Sequence, residues 1–123
     1  MTIRVIAGIV ITFHPNQRVL TKLVNTLSAQ LDNVLIVDNG SIEEIADWFK
    51  NLSNVSTIFL GDNLGIAKAQ NVGIECAKDR GADYIALFDQ DSDLAPDTLP
   101  TLMKAMIHLQ NDGKKVACVG PRY

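Results

Sequence analysis

Five short apolar runs rich in β-branched residues alternate with amphipathic stretches along this chain, and that alternation constrains its fold more than any other feature. The runs are Ile3–Thr12, Val34–Val37, Val55–Leu60, Tyr84–Phe88 and Lys115–Val119. None has the in/out alternation of a half-exposed sheet, so strands covered on both faces, and therefore parallel, are expected. After the first run, Val19, Leu20, Leu23, Val24, Leu27 and Leu31 keep helical i, i+3/i+4 spacing, with Pro15 placed for the first turn. Ile42, Ile45, Trp48 and Phe49 predict a shorter second helix, with Trp48 as core packing. A third helix is expected to be capped at Asp62-Asn63; its Ala69, Gly73 and Ala77 form a small-residue stripe that lets a helix lie close to a sheet. A fourth is expected from Pro96, with Leu99, Leu102, Met103 and Met106 inward, His108 at the surface and a stop at Asn111-Asp112-Gly113.

Right-handed crossovers between such strands give a doubly wound sheet, in which ligands bind beyond the carboxyl ends of the strands. At 123 residues, 47% hydrophobic and 20% charged, the chain suits a single domain with a real core. Eleven basic against fourteen acidic residues leave a net charge of −3, which argues against nucleic acid as the main partner. Cys76 and Cys118 form no CxxC or Cys/His cluster, so they read as buried free thiols in a reducing compartment. The longest apolar stretch, Val5–Phe13, is too short for a membrane span and lacks the flanks of a signal peptide. A cytoplasmic location is expected, with the inner face of the membrane still open.

Polar residues cluster where the strands end: Thr12-Phe13-His14, Asp38-Asn39-Gly40-Ser41, Gly61-Asp62-Asn63-Leu64-Gly65 and Asp89-Gln90-Asp91-Ser92-Asp93. Carboxylates at i and i+2 of an extended segment point the same way, so Asp89 and Asp91 can share one hard cation on a diphosphate, or simply form a solvated acidic turn before the helix at Pro96. An EF-hand is excluded, because its required Gly and Glu positions hold Leu94 and Pro100. Asp38 can accept a hydrogen bond from a ring N–H, as a pyrimidine presents, or make an Asp turn at a strand end. Gly65 and Lys68 lie at a helix start suited to phosphate, although a plain surface charge is the commoner fate of such a lysine. No dinucleotide or P-loop motif occurs, and no Ser/His/Asp or Cys/His set converges.

Taken in order, Val10-Ile11-Thr12-Phe13-His14-Pro15, Ile36-Val37-Asp38-Asn39-Gly40-Ser41, Asn63-Leu64-Gly65-Ile66-Ala67-Lys68-Ala69-Gln70-Asn71-Val72-Gly73 and Leu87-Phe88-Asp89-Gln90-Asp91-Ser92 resemble the N-terminal half of a family-2 glycosyltransferase. The F-H-P, D-N-G-S and D-Q-D-S wording is closest to bacterial rhamnosyltransferases. The resemblance implies the nucleotide-binding half of a GT-A fold: a three-layer α/β/α, Rossmann-like, mostly parallel sheet with core strand order 3-2-1-4. It implies a dTDP- or UDP-linked sugar donor, dTDP-rhamnose first, a saccharide or lipid-linked acceptor, and a role in cell-surface polysaccharide assembly. Asp91 would coordinate Mg²⁺ or Mn²⁺ on the donor diphosphate, and Asp89 would hold the ribose or help place the metal. Asp38 would read the pyrimidine N3–H, Thr12 and Phe13 would line the base pocket, Gly65 and Lys68 would run along the nucleotide, and Asn71 would brace the loop.

The family's catalytic base is expected beyond Tyr123, so residues 1–123 read as one nucleotide-sugar-binding domain, truncated relative to a complete transferase. Uncovered apolar surface on the last strand and fourth helix would then favour a homodimer. The competing reading is a non-catalytic nucleotide-binding or interaction domain. A phosphoacceptor receiver is disfavoured, because Thr12-Phe13 stands where such a domain needs paired acids.

Overall fold

Gly8 and Gly73 show how the layers are assembled, since a Cβ on either would collide with the layer opposite. A Cβ on Gly8 would lie 2.7 Å from Leu31 Cδ1, and one on Gly73 would lie 2.8 Å from Ile9 Cγ2 and 3.2 Å from Val37 Cγ2. Gly8 and Ile9 face opposite sides of their strand, so one glycine admits a helix to each side of the sheet. The structure, a computed structural model, describes residues 4–113 and 119–120. Its elements are β1 (Ile6–Thr12), α1 (Gln17–Gln30), β2 (Asn33–Asp38), α2 (Ile45–Trp48), β3 (Val55–Phe59), α3 (Ile66–Asp79), β4 (Tyr84–Asp89) and α4 (Thr98–Asn111). The four strands form one sheet in the order β3-β2-β1-β4. All three pairings are parallel, with Thr12 beside Asp38 and Ile11 beside Asp89 at the carboxyl edge. The expected strand order and layering are thus the ones observed.

The core is deepest where strands have neighbours on both sides. Ala7, Ile9, Val10, Val34, Leu35, Ile36 and Val37 are fully buried, as are Leu20, Val24 and Leu27 of α1. Ala69, Gly73 and Ala77 form the buried stripe of α3. Coverage on both faces, expected for every strand, holds only for β1 and β2: on the outer strands Phe59 is 54% and Leu87 47% exposed. At its amino end β1 is held by side chains, with the Val5 N–H donating to Asp83 Oδ2 at 2.8 Å and the Ile6 N–H to Asp32 Oδ2 at 2.7 Å.

Several boundaries differ from expectation for local reasons. Asn16 caps α1 by accepting from the Val19 N–H at 3.0 Å, which places Pro15 before the cap rather than in the first turn. Only four residues of α2 are helical; Ile45 and Phe49 are buried, Trp48 is half-buried, and Ile42 is exposed outside the helix. Gly65 occupies the N-cap position of α3 at φ 88°, and the Asn63 side chain accepts from the Gly65 N–H instead of capping. Cys76 is half-buried, and Cys118 lies outside the described residues.

Two compact units are distinguished, one ending at Asp93 and the other starting at Leu94. In the second, α4 begins two residues after Pro96 with Asp97 at the cap position, buries Leu99, and ends at Asn111 before Gly113 at φ 83°. His108 is exposed, with Nε2 3.5 Å from the Asp112 carboxylate. The expected fifth strand, Lys115–Val119, lies outside the described residues except for Val119, which belongs to no strand. No helix among the described residues is long and apolar enough to cross a membrane.

Candidate functional site

The carboxyl edge of the sheet is organised by three side chains, each tying one strand end to its neighbour. Parallel register brings Thr12 opposite Asp38, and the Thr12 hydroxyl donates to Asp38 Oδ1 at 2.7 Å. The Ser41 hydroxyl donates to the same oxygen at 2.6 Å, while the N–H groups of Gly40 and Ser41 donate to Oδ2 at 3.2 and 2.8 Å. Asp38 is 1% exposed and accepts four hydrogen bonds. That fills the capacity of an ionised carboxylate, and it is how a buried charge is tolerated. The Asp turn foreseen for this position is therefore built. A base N–H can reach Asp38 only by replacing one of those donors.

Asn39 is the second tie. Its N–H donates to the Thr12 carbonyl at 2.8 Å, its Oδ1 accepts from the Leu64 N–H at 3.1 Å, and its Nδ2 donates to the Gly65 carbonyl at 3.3 Å. The brace expected on Asn71 is thus on Asn39; Asn71 is exposed on α3. Between them, Gly40 adopts φ 96°, and a Cβ there would lie 3.1 to 3.2 Å from the Asp62 main chain. Only glycine meets both conditions without strain.

The third tie is Gln90. Its Oε1 accepts from the Phe13 N–H at 2.8 Å, and its Nε2 donates to the Phe13 carbonyl at 3.2 Å. Asp89 is the last residue of β4, and the Ser92 N–H donates to its carbonyl at 3.0 Å, which closes a turn over Asp89-Gln90-Asp91-Ser92. Of the extended segment and the acidic turn that the sequence left open, the turn is the one observed, with the two carboxylates at its first and third positions. Both are exposed, and neither makes a side-chain hydrogen bond or ion pair among the described residues. Asp93, by contrast, lies 3.5 Å from Lys22 on the surface.

His14, beyond Phe13, adopts φ 45°, which few side chains other than Asn, Asp and His accept. Its N–H donates to the Ser41 hydroxyl at 2.8 Å, and its Nδ1 lies 3.0 Å from Glu43 Oε2. The Glu43 carboxyl is held below its ordinary value, first by that hydrogen bond and then by one to its own backbone. The Phe13 ring, 42% exposed, lies 4.3 Å from the imidazole between centroids.

Of the residues singled out in the sequence, the structure thus joins Thr12 to Asp38, Phe13 to the turn carrying Asp89 and Asp91, and Gly65 to the loop after β2. Lys68 is exposed on the first turn of α3. His14, Asn39, Ser41 and Gln90 stood out only as polar residues beside strand ends, with no role of their own, and Glu43 was not picked out. No group of three or more His, Cys, Asp or Glu residues among the described residues could enclose a metal ion. Two unpartnered carboxylates do suit Mg²⁺ or Mn²⁺ carried on a diphosphate, since such ions take one or two carboxylates and complete their shell with phosphate oxygens and water.

Known proteins are similar to this chain over most of its length. The chain is 34% identical over 112 residues to the dTDP-rhamnosyl transferase RfbF of Shigella flexneri, covering 91% of this chain and 37% of that protein. It is 29% identical over 131 residues to the UDP-N-acetylglucosamine–dolichyl-phosphate N-acetylglucosaminyltransferase of Methanococcus voltae, covering 93% of this chain and 51% of that one. The chain therefore spans about a third to a half of the length of these relatives. Among solved structures, the glucosyl-3-phosphoglycerate synthase of Mycobacterium tuberculosis, crystallised with Mn²⁺, UDP and glucosyl-3-phosphoglycerate, shares the fold at a TM-score of 0.66 and 15% identity, over 84% of this chain and 39% of that one. The family model for glycosyl transferase family 2 matches residues 8–123. With its sheet order and four edge motifs in sequence, the chain belongs to glycosyl transferase family 2.

Proposed function

We propose that this chain is the donor-binding part of a metal-dependent glycosyltransferase that takes a pyrimidine nucleoside-diphosphate sugar, dTDP-rhamnose first and a UDP-sugar second. The observation that carries the reading is the pair of exposed carboxylates, Asp89 and Asp91, unpartnered among the described residues, on a turn tied by Gln90 to the Phe13 segment. Phe13 offers an exposed ring for a base to stack on, and Thr12 and Asp38 form the polar wall beside it. Asp38 reads the pyrimidine N3–H by exchanging one of its hydroxyl donors for the base. Gly65 and Lys68 line the path of the phosphates at the start of α3, where free N–H groups favour an anion.

When bound, Mg²⁺ or Mn²⁺ would stabilise the charge that develops on the departing nucleoside diphosphate. Asp91 would be its principal protein ligand, with Asp89 beside it on the ribose or the metal. Similarity to a dTDP-rhamnosyl transferase supports the donor assignment, and similarity to a transferase acting on dolichyl phosphate supports a lipid-linked acceptor beside a saccharide one. A cytoplasmic role in cell-surface polysaccharide assembly completes the proposal. No described residue is assigned as the base that activates the acceptor.

Calorimetric titration tests the reading. dTDP or UDP should bind in the presence of Mn²⁺, and Asp91→Ala should weaken that binding about tenfold or more, the loss of roughly 1.4 kcal/mol or above. Binding that ignores both the metal and Asp91 would overturn it.

A further inference from the structure

Gln90 lies between the two carboxylates, where a metal-binding turn makes no demand on the intervening side chain. Here that side chain spans to the neighbouring strand end and satisfies both main-chain groups of one residue, the N–H and the carbonyl of Phe13. The β1–β4 ladder ends at Ile11 and Asp89, because the backbone turns away after Asp89. The Gln90 carboxamide therefore continues the ladder with a side chain in place of a peptide. Such reciprocity needs one acceptor and one donor on a single flat group: glutamate could only accept, lysine could only donate, and methionine could do neither. On its other side, Phe13 follows Thr12, whose hydroxyl and carbonyl are fixed by Asp38 and Asn39. The Phe13 segment can shift relative to the turn only if this pair of hydrogen bonds breaks.

We propose that Gln90 is a positioning residue that couples the base pocket to the metal-binding turn, so that ordering of either by its ligand favours binding at the other. This rests on the donor-and-metal reading above. Linkage makes the effect reciprocal, and ordering a shared segment is sufficient to produce it. The metal also contacts the diphosphate directly, which would couple the two ligands without Gln90. The test therefore uses a nucleoside, which carries no phosphate.

The affinities of the full chain for thymidine and uridine are measured by NMR titration with and without Mg²⁺, alongside calorimetry with dTDP and UDP. In the unsubstituted chain, Mg²⁺ should strengthen binding of the preferred nucleoside about fivefold or more, an effect only the protein can transmit. In Gln90→Met that ratio should fall to about one, and in Gln90→Glu, which keeps the acceptor for the Phe13 N–H, it should be intermediate. A purely structural clasp would lower the melting temperature of Gln90→Met and leave the ratio intact, which overturns the proposal. If Gln90→Met does not fold, a Gln90→Glu ratio equal to that of the unsubstituted chain overturns it equally. So does an unsubstituted ratio of one when dTDP or UDP binds with Mg²⁺. Failure of both diphosphates to bind with Mg²⁺ overturns the donor reading itself, and this coupling with it.

Discussion

Asp38 at the end of β2 and Asp91 beyond the end of β4 flank the same central strand, and their surroundings are opposites. Asp38 is 1% exposed and receives four donors, whereas Asp91 is exposed and receives none among the described residues. A carboxylate whose lone pairs are filled from within the chain holds loops together and has little capacity left for a cation. One left in water adds little to stability and keeps its full capacity for an incoming ion. Rigidity and ligand capacity are thus divided between the strand ends on either side of β1, and Gln90 and Thr12 connect them through Phe13.

The largest expected effect is at Asp38. Asp38→Ala should lower unfolding free energy by roughly 3 kcal/mol in urea titration, since it strands the buried Thr12 hydroxyl and frees the Gly40-Ser41 turn. A loss below about 1 kcal/mol would break the contrast with Asp91. Gly40→Ala comes next, at roughly 1–3 kcal/mol, because a side chain at φ 96° is strained and meets the Asp62 main chain. Asp91→Asn should change stability by no more than about 0.5 kcal/mol while removing metal-dependent nucleotide binding; a larger stability loss would show that the turn is held by this carboxylate after all.

The smallest effect is at Glu43. Its carboxyl titrates below its ordinary value, so the contact with His14 contributes stability above the ordinary carboxylate range and loses it as pH falls through the lowered value. Stability of the parent chain minus that of Glu43→Gln should therefore shrink on acidification, by an amount kept small by solvent. A difference that grows toward acid pH would reverse the sign.

The α/β alternation, the small-residue stripe of α3 and the polar residues of the edge were legible because each rests on spacing or on a place at a strand end, whereas the strand order was implied only by the family resemblance. Ala69, Gly73 and Ala77 were recognisable as a stripe, and the close approach of Gly73 to Ile9 is its physical outcome. Less legible were the partners of polar side chains. Nothing local reveals that Asp38 spends an oxygen on Thr12, or that Gln90 reaches Phe13 beyond the end of β1. Those pairings depend on register between strands far apart in sequence, which periodicity does not encode. The turn at Asp89-Gln90-Asp91-Ser92 stood only as the alternative to an extended segment for a related reason: alternation predicts orientation only while the backbone stays extended, and here it bends after Asp89.

The position of β1 at the centre of the sheet has a consequence for the order of assembly. One flank is met by β2 soon after β1 in the chain, but the other waits for β4, since Ile6 pairs with Tyr84 and Ile11 with Asp89. A chain emerging from the ribosome therefore carries an apolar central strand with one bare flank until Tyr84–Asp89 has been made, and that edge can pair with a stranger. The Asp89-Gln90-Asp91 turn emerges just as the flank closes. Among the described residues, the segment proposed to hold the metal is also the last piece of the sheet edge to arrive, so acquisition of the ligand edge and protection of the β1 flank fall at the same moment of synthesis.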